Sequence, residues 1–459
     1  MTVYYIMLIG LSLCGACLCT VKRSRLKDAI FLLVSFAVLF ALSAIRYDVG
    51  YDYSFVYAPI YDRILNDPTS EFMAQHRWEP GFTLLLRGLM LVTPNFQALF
   101  VLTSFLIIFL VMLFYWRYSL NPFISVFLFV ALSHYYCSMN FVRQTLAAAI
   151  AMFTLPLLKK FIEYFMEKRW SPAMAGYAVG YFAVVLLAAS MHMSALLLIP
   201  FFFINLVPIN KYVLAAYVAI TAAIYFNTHR ILEFVTQHWY QYYSLNNIHM
   251  QAVFAPQFTI AVAIVFLILF LGSGALKRLD KGNYLYVNYA FFAFFFALMG
   301  TRHSILDRLG LNFALLAPVG ISILVGELAK KLKEEDPSAL IRKYTVKYTA
   351  VFIALLITIF GGGLGIHHFA LTRDHHGVVP YQIIFHQPFY REYVYWLRTG
   401  NPDIYDWGEP YMEPEDIEMP LSLPPPAAPP YSHVDLQEVE QYEPVGDAPV
   451  QVSIEELIG

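Results

Sequence analysis

Eight arginines, Arg46, Arg63, Arg77, Arg87, Arg143, Arg230, Arg302 and Arg308, are the groups of this chain best placed to hold an anion, because no lysine shares their face. When the long apolar runs are threaded back and forth through a bilayer, every lysine falls on the opposite side, from Lys22 and Lys27 through Lys159, Lys211 and Lys277 to Lys347. The positive-inside rule makes the lysine face cytoplasmic. A loop that needs only positive charge can use either residue, whereas a planar fork of donors is wanted where phosphate or carboxylate is gripped. The outer surface is therefore built for an anion. Arg143 stands in Asn140-x-x-Arg143-Gln144, whose i, i+3, i+4 spacing puts three polar side chains on one helical face. A helix start favours negative charge, so an anion bound beside Arg143 would reconcile charge and position. Arg302 and Arg308 flank His303 and Asp307. For each, a surface pair with Asp307, worth little, is the plain alternative.

Three further groups could move a proton. The segment Arg46-Tyr47-Asp48-Val49-Gly50-Tyr51-Asp52-Tyr53 carries two carboxylates four residues apart, and Glu79-Pro80-Gly81-Phe82 opens a short apolar piece. His192 lies between two apolar runs, in Ser190-Met191-His192-Met193-Ser194. Glu79 and Asp52 could each act as a general base or hold an arginine in place; His192 could be a base or a hydrogen-bonded structural group. No His-Glu-x-x-His pair, Gly-x-Ser-x-Gly elbow or Walker loop is present. His367, His368, His375 and His376 follow the last apolar run without a matched carboxylate set, so no metal and no cofactor is expected. The four cysteines read as small packing residues, although Cys14-x-x-Cys17 could be a lipidation or redox site.

The elements that position these groups are membrane helices. Hydrophobic residues make up 59% of the chain and charged ones 14%, against roughly 25% charged in soluble domains, which excludes an ordinary soluble fold. Runs near the ~20 residues needed to cross a bilayer predict twelve spans: 3–20, 29–45, 97–115, 122–138, 141–158, 173–190, 193–208, 211–227, 257–276, 284–300, 308–326 and 347–366. The fold class is thus an all-α polytopic membrane protein. A crossing by 81–94 would turn the basic clusters at 159–169, 277–281 and 330–347 outward, so that piece is expected to be re-entrant or interfacial. Residues 1–366 form the membrane body, with outward loops at about 46–80 and 228–256. The second loop holds His229, His238, Trp239, Tyr240 and His249; such aromatics suit either an interfacial belt or stacking on sugars. Residues 1–365 carry 27 basic and 16 acidic residues, a formal +11, and the rest carry 3 and 16, a formal −13. A post-membrane segment spans 367–400. From 401 to 459 the acidic, proline-rich composition predicts a disordered tail.

In order along the chain stand Arg46…Gly50-x-Asp52-Tyr53, Glu79-Pro80-Gly81-Phe82, Asn140-x-x-Arg143-Gln144, His192-x-Ser194-Ala195, Arg308 and Pro380-Tyr381-x-x-Ile384-Phe385. This ordered set resembles the EpsG family, similar to the Wzy-type bacterial polysaccharide and O-antigen polymerases, over residues 1–386. Tyr51 departs from the threonine common at that place in the family. The resemblance implies a glycosyltransferase with a GT-C-like architecture. It would join polyprenyl-diphosphate-linked oligosaccharide repeat units at the outer face of the bacterial cytoplasmic membrane, making exopolysaccharide, capsule or O-antigen. Arg143 and Arg308, then Arg46 and Arg302, would hold the diphosphate; Glu79, His192 or Asp52 would take the acceptor proton; Asn140, Gln144 and Tyr53 would support them. Guanidinium groups can meet the charge of a diphosphate leaving group without a metal.

A lipid-linked oligosaccharide flippase or other transporter would gather charged groups at mid-membrane, often in repeated halves. Here the polar groups collect at one face instead. A polysaccharide ligase would use the same diphosphate chemistry and stays open at this point, as does a scaffold in an export complex. The expected partners are the bilayer, the lipid-linked saccharide, and a flippase and chain-length regulator; nothing points to nucleic acid.

Overall fold

The computed structural model describes residues 1–20, 23–57, 61, 78–238, 256–334 and 342–384. Every described element is helical; the one β-type contact is an isolated antiparallel bridge between Arg46 and Ile383. A bilayer offers no hydrogen bonds to the backbone, so spans satisfy their N–H and C=O groups internally as helices. Among the described residues, seven helices are long and apolar enough to cross: Thr2–Cys19 (α1), Arg25–Ala44 (α2), Gln97–Tyr118 (α3), Val142–Met166 (α4), Pro172–Met191 (α5), Lys281–Gly300 (α6) and Thr349–Thr372 (α7). Their starts are marked locally. Ser24 accepts a hydrogen bond from the Lys27 N–H at the head of α2, and Ser171 does the same for Met174 ahead of Pro172, the expected use of a serine cap and a first-turn proline.

Three further spans are bent. Pro122–Ala131 meets His134–Asn140 at 54°, Pro256–Leu271 meets Ser273–Leu279 at 56°, and Ser304–Ala314 meets Ala317–Leu332 at 45°. The first bend turns on Ser133, whose φ of 67° is left-handed. The described residues therefore hold seven helices able to cross, or up to ten if each bent pair is one span, where twelve were expected. The expected span 193–208 is the 12-residue piece Met193–Ile204, at ~1.5 Å per residue about 18 Å long and short of a ~30 Å core. The expected span 211–227 begins a 28-residue helix, Lys211–His238, which falls outside the crossing set; Asn227, Thr228, His229, Arg230 and Glu233 make its second half polar, and with no proline or glycine to stop it the helix runs eleven residues past the expected loop boundary. Likewise α7 continues to Thr372, beyond 366. The piece at 81–94 is an 11-residue helix, Pro80–Met90, too short to cross. Arg63, Arg77, residues 239–255 of the second loop and everything after Ile384, including the tail, lie outside the described residues.

Two polar gatherings mark opposite ends of α4. At one end Arg143 pairs with Glu79. Sixteen residues on, about 24 Å at helical rise, Lys159 pairs with Asp280 at 3.1 Å. The arginine and lysine faces inferred from sequence are thus physically separate along one helix. The chain's beginning and its last described segment also meet. The Tyr4 hydroxyl donates to the Val378 carbonyl at 2.9 Å, the Tyr381 hydroxyl to Leu42 at 2.8 Å, and the Tyr47 N–H to Gln382 at 3.0 Å. Residues 373–383 are therefore strapped onto α1 and the turn after α2, and they close the arginine end of the bundle.

Candidate active site

Pro80 starts the short helix and leaves Glu79 as its cap residue. The helix lies hard against α5 at Gly81, where a Cβ would stand 2.3 Å from Ser190 Oγ and 2.8 Å from the Ser190 carbonyl oxygen. That approach lets Glu79, 8% exposed, make two contacts at once. Its Oε2 accepts from Arg143 Nη1 at 2.8 Å, and its Oε1 accepts the Met193 N–H at 2.9 Å. The Arg143 guanidinium stands 5.0 Å from the Trp78 ring centroid and 5.9 Å from that of Phe82, a cation–π setting. The Tyr57 hydroxyl accepts the Arg143 N–H at 3.2 Å.

Beside this pair, His192 ends α5 with its Nδ1 accepting the Ser194 N–H at 3.2 Å and lying 2.9 Å from Ser194 Oγ. Asn312 Nδ2 donates to Ser194 Oγ at 3.1 Å. An Nδ1 that accepts a backbone N–H leaves the neutral ring's proton on Nε2. Burial, with Arg143 and Arg308 near, pulls the His192 pKa below its ordinary value against the opposing pull of Glu79. Gln144 Nε2 donates to the Arg308 carbonyl at 2.5 Å. The Arg308 guanidinium lies over Phe141, 4.4 Å from the ring centroid, and makes no hydrogen bond or ion pair among the described residues.

Asp52 is carried in by a turn at Gly50. Its φ is +96°, and a Cβ there would lie 2.4 Å from the Met139 carbonyl oxygen, so only glycine lets this turn sit against the end of His134–Asn140. The Gly50 N–H donates to the Gly377 carbonyl at 2.7 Å, and the Asp52 N–H donates to Asn140 Oδ1 at 3.1 Å. The Asp52 carboxylate accepts no hydrogen bond among the described residues. Burial raises its pKa, with the positive charges of Arg308 and Arg143 opposing. The site is thus two guanidiniums, one of them unpaired, and one carboxylate left without a partner.

The sequence profile of the EpsG family matches residues 29–382. The chain belongs to the EpsG family. No curated protein and no solved structure matches it significantly. The match ends at Gln382, the residue whose carbonyl takes the Tyr47 N–H, so the family's extent includes the strap over the site. Membership associates this membrane protein with exopolysaccharide polymerisation.

Within this EpsG-family chain, several expected site residues hold other posts. Arg46 is fully buried. Its Nη1 donates to the Ser43 carbonyl, to Ser43 Oγ at 2.9 Å and to Ser104 Oγ at 3.0 Å, its Nη2 donates to Met139 at 3.3 Å, and Phe100 covers it at 4.9 Å. A guanidinium so enclosed anchors the turn after α2 and cannot reach a ligand. Tyr53 is buried too, its hydroxyl donating to Gln97 Oε1 at 2.6 Å and its ring stacked on Phe100 at 4.1 Å. Arg302 sits over Tyr225 at 4.7 Å, and no contact joins it to Glu79, Arg143 or His192. Neither Arg302 nor Arg308 pairs with Asp307. Asn140, Arg143 and Gln144 do serve one site, but from two helices, because Phe141 ends His134–Asn140 and α4 starts at Val142. Trp78, Tyr57, Phe141 and Asn312 were not singled out from sequence. Only Trp78 and Phe141, aromatics abutting Glu79 and Asn140, had any signal there.

Proposed function

We propose that this protein is a membrane glycosyltransferase that joins polyprenyl-diphosphate-linked oligosaccharide units into a polysaccharide, working at the outer face of the bacterial cytoplasmic membrane. The observation that carries the reading is the unpaired Arg308 guanidinium held over Phe141 beside Arg143 and an unpartnered Asp52. Fixed donors aimed at developing negative charge stabilise a transition state by ~3–4 kcal/mol each. In this scheme the acceptor hydroxyl oxygen attacks the anomeric carbon of the donor, and the bond to the diphosphate breaks. Arg308 and Arg143 take up the charge of the leaving diphosphate, as a divalent cation would elsewhere. Asp52 accepts the hydroxyl proton.

Among the three base candidates, the contacts favour Asp52. Both oxygens of Glu79 are engaged, so it positions Arg143. His192 holds its ring proton on Nε2 and acts as a donor. Asp52 has the open carboxylate. The deciding experiment uses purified protein in nanodiscs with the lipid-linked repeat unit of its own pathway. A product ladder that disappears in Arg308→Ala supports the reading. Movement of the lipid between leaflets with no ladder would assign a flippase instead, and transfer of finished polymer to an unrelated acceptor would assign a ligase. A flippase that delivers the repeat unit and a regulator of chain length are the partners this role calls for.

A further inference from the structure

Joining two lipid-linked units requires two diphosphates at the membrane surface together, one leaving and one idle. The acceptor's diphosphate is separated from its reacting hydroxyl by the sugars of its repeat unit, so it cannot share the Arg143–Arg308 pocket. Six residues before Arg308, in the turn between Gly300 and Ser304, a second cationic group is assembled from two elements. Arg302 lies over Tyr225 at 4.7 Å, and His229 and His303 stack nearly parallel, 18° apart with centroids at 5.7 Å. Their relative placement is set by the Thr228 hydroxyl, which is buried against Met299 Sδ at 3.5 Å, and by the Tyr225 and Thr301 hydroxyls, 3.5 Å apart. Arg302 and His229 are exposed and make no hydrogen bond or ion pair among the described residues. Arg230 adds a charge on the same helix, and Glu233, one turn on from His229, is the acid nearest along it.

We propose that Arg302, His229 and His303 form a second phosphate-binding site, which holds the diphosphate of the acceptor lipid-linked saccharide. This role rests on the polymerase reading above. An idle diphosphate undergoes no change of charge in the reaction, so an exposed, solvated set of donors suits it, while the half-buried Arg308 suits the leaving group. Each neutral imidazole offers one N–H and gains a second on protonation, so a stacked pair beside an arginine is a ready mate for a dianion.

The full-length protein in phosphatidylcholine nanodiscs is titrated calorimetrically with farnesyl diphosphate. Two molecules should bind per chain. Arg302→Gln, and separately His229→Gln with His303→Gln, should weaken one event at least tenfold and leave the other; Arg308→Gln should do the reverse. Arg302→Lys should restore much of the lost affinity, which a folding defect would not allow. One molecule per chain in the parent, or two in Arg302→Gln, overturns the second site, and a parent that still makes polymer shows that the polymerase reading survives this failure. Loss of the second event when phosphatidylglycerol replaces part of the phosphatidylcholine gives the site to phospholipid headgroups and overturns the acceptor role. Two bound molecules without any ladder from authentic substrate overturn that role together with the polymerase reading.

Discussion

Replacing Arg143 and Arg308 by alanine should cost similar amounts of activity and very different amounts of stability. Each arginine is assigned one set of donors to the leaving diphosphate, so each loss should lower turnover by about 10²–10³, or ~3–4 kcal/mol of transition-state stabilisation. Their ground states differ. Arg308 makes no ion pair among the described residues, so its loss bares the Phe141 ring and removes a charge that offsets the burial of Asp52, which can take up a proton instead. Arg143→Ala strands the Glu79 carboxylate, 8% exposed, with the Met193 N–H as its remaining donor. Breaking a buried pair from one side costs ~3–5 kcal/mol. The Arg143 side chain is 20% exposed and Glu79 keeps one donor, so about 1–3 kcal/mol is the expected destabilisation after that discount. Adding Glu79→Gln to Arg143→Ala removes the stranded charge and should recover most of the stability and none of the activity. Ladder formation from lipid-linked substrate and thermal unfolding in the same detergent measure the two quantities. Equal destabilisation by the two single variants, or activity regained in the double variant, would refute the division of roles.

Asp52→Asn should lower transfer by ~10²–10⁴, the range for a lost general base, while farnesyl diphosphate still binds. Because burial raises the Asp52 pKa, the folded chain holds that proton more tightly than the unfolded one. Ionised Asp52 therefore costs stability above its folded pKa and ceases to do so as pH falls through it. Activity runs the opposite way, rising as pH climbs through the same raised value, and this acid limb should vanish in a pH–rate profile of Asp52→Asn. Gly50→Ala combines a φ of +96° with a Cβ 2.4 Å from the Met139 oxygen; folded yield by size-exclusion chromatography should fall sharply, since that contact is with backbone. Arg46→Lys should also lose folded protein rather than substrate affinity, because one ammonium cannot reproduce the fork that reaches Ser43, Ser104 and Met139. A cysteine placed at Lys281 should react with a membrane-impermeant maleimide only after cells are opened, and reaction in intact cells would reverse the orientation.

Sequence alone located the helices well and the kinks poorly. Hydropathy sums over a window, so it sees the apolar run 122–138 as one span and misses the left-handed turn at Ser133 that breaks it. The same blindness made a span of Met193–Ile204, which is apolar but only twelve residues long. Sequence reasoning put Glu79, Arg143, His192, Arg308 and Asp52 into a single list, and the fold gathers them at one end of the bundle. It could not rank them. Whether an arginine is free or enclosed depends on residues far away in the chain, and Arg46, wedged among Ser43, Ser104 and Met139, looks from its own neighbours no different from Arg308. The second bond to Glu79 was invisible for the same reason, because it comes from the Met193 backbone, 114 residues away.

The strap formed by residues 373–383 has a consequence for how the protein is made. The turn after α2 leaves the ribosome early, with Arg46 and Gly50 already in place, yet Tyr47 and Gly50 have their partners at Gln382 and Gly377. At roughly 5–20 residues per second, about half a minute of translation separates the two halves of this closure. Until then the catalytic end has no cover, and α1 lacks the Val378 carbonyl that Tyr4 will engage. A nascent or prematurely terminated chain thus lacks the contacts that hold the turn after α2, and on the polymerase reading it should be incompetent for transfer. Under the polymerase reading, synthesis order would thereby act as a safeguard: lipid-linked sugar would be committed only by chains made through to residue 383.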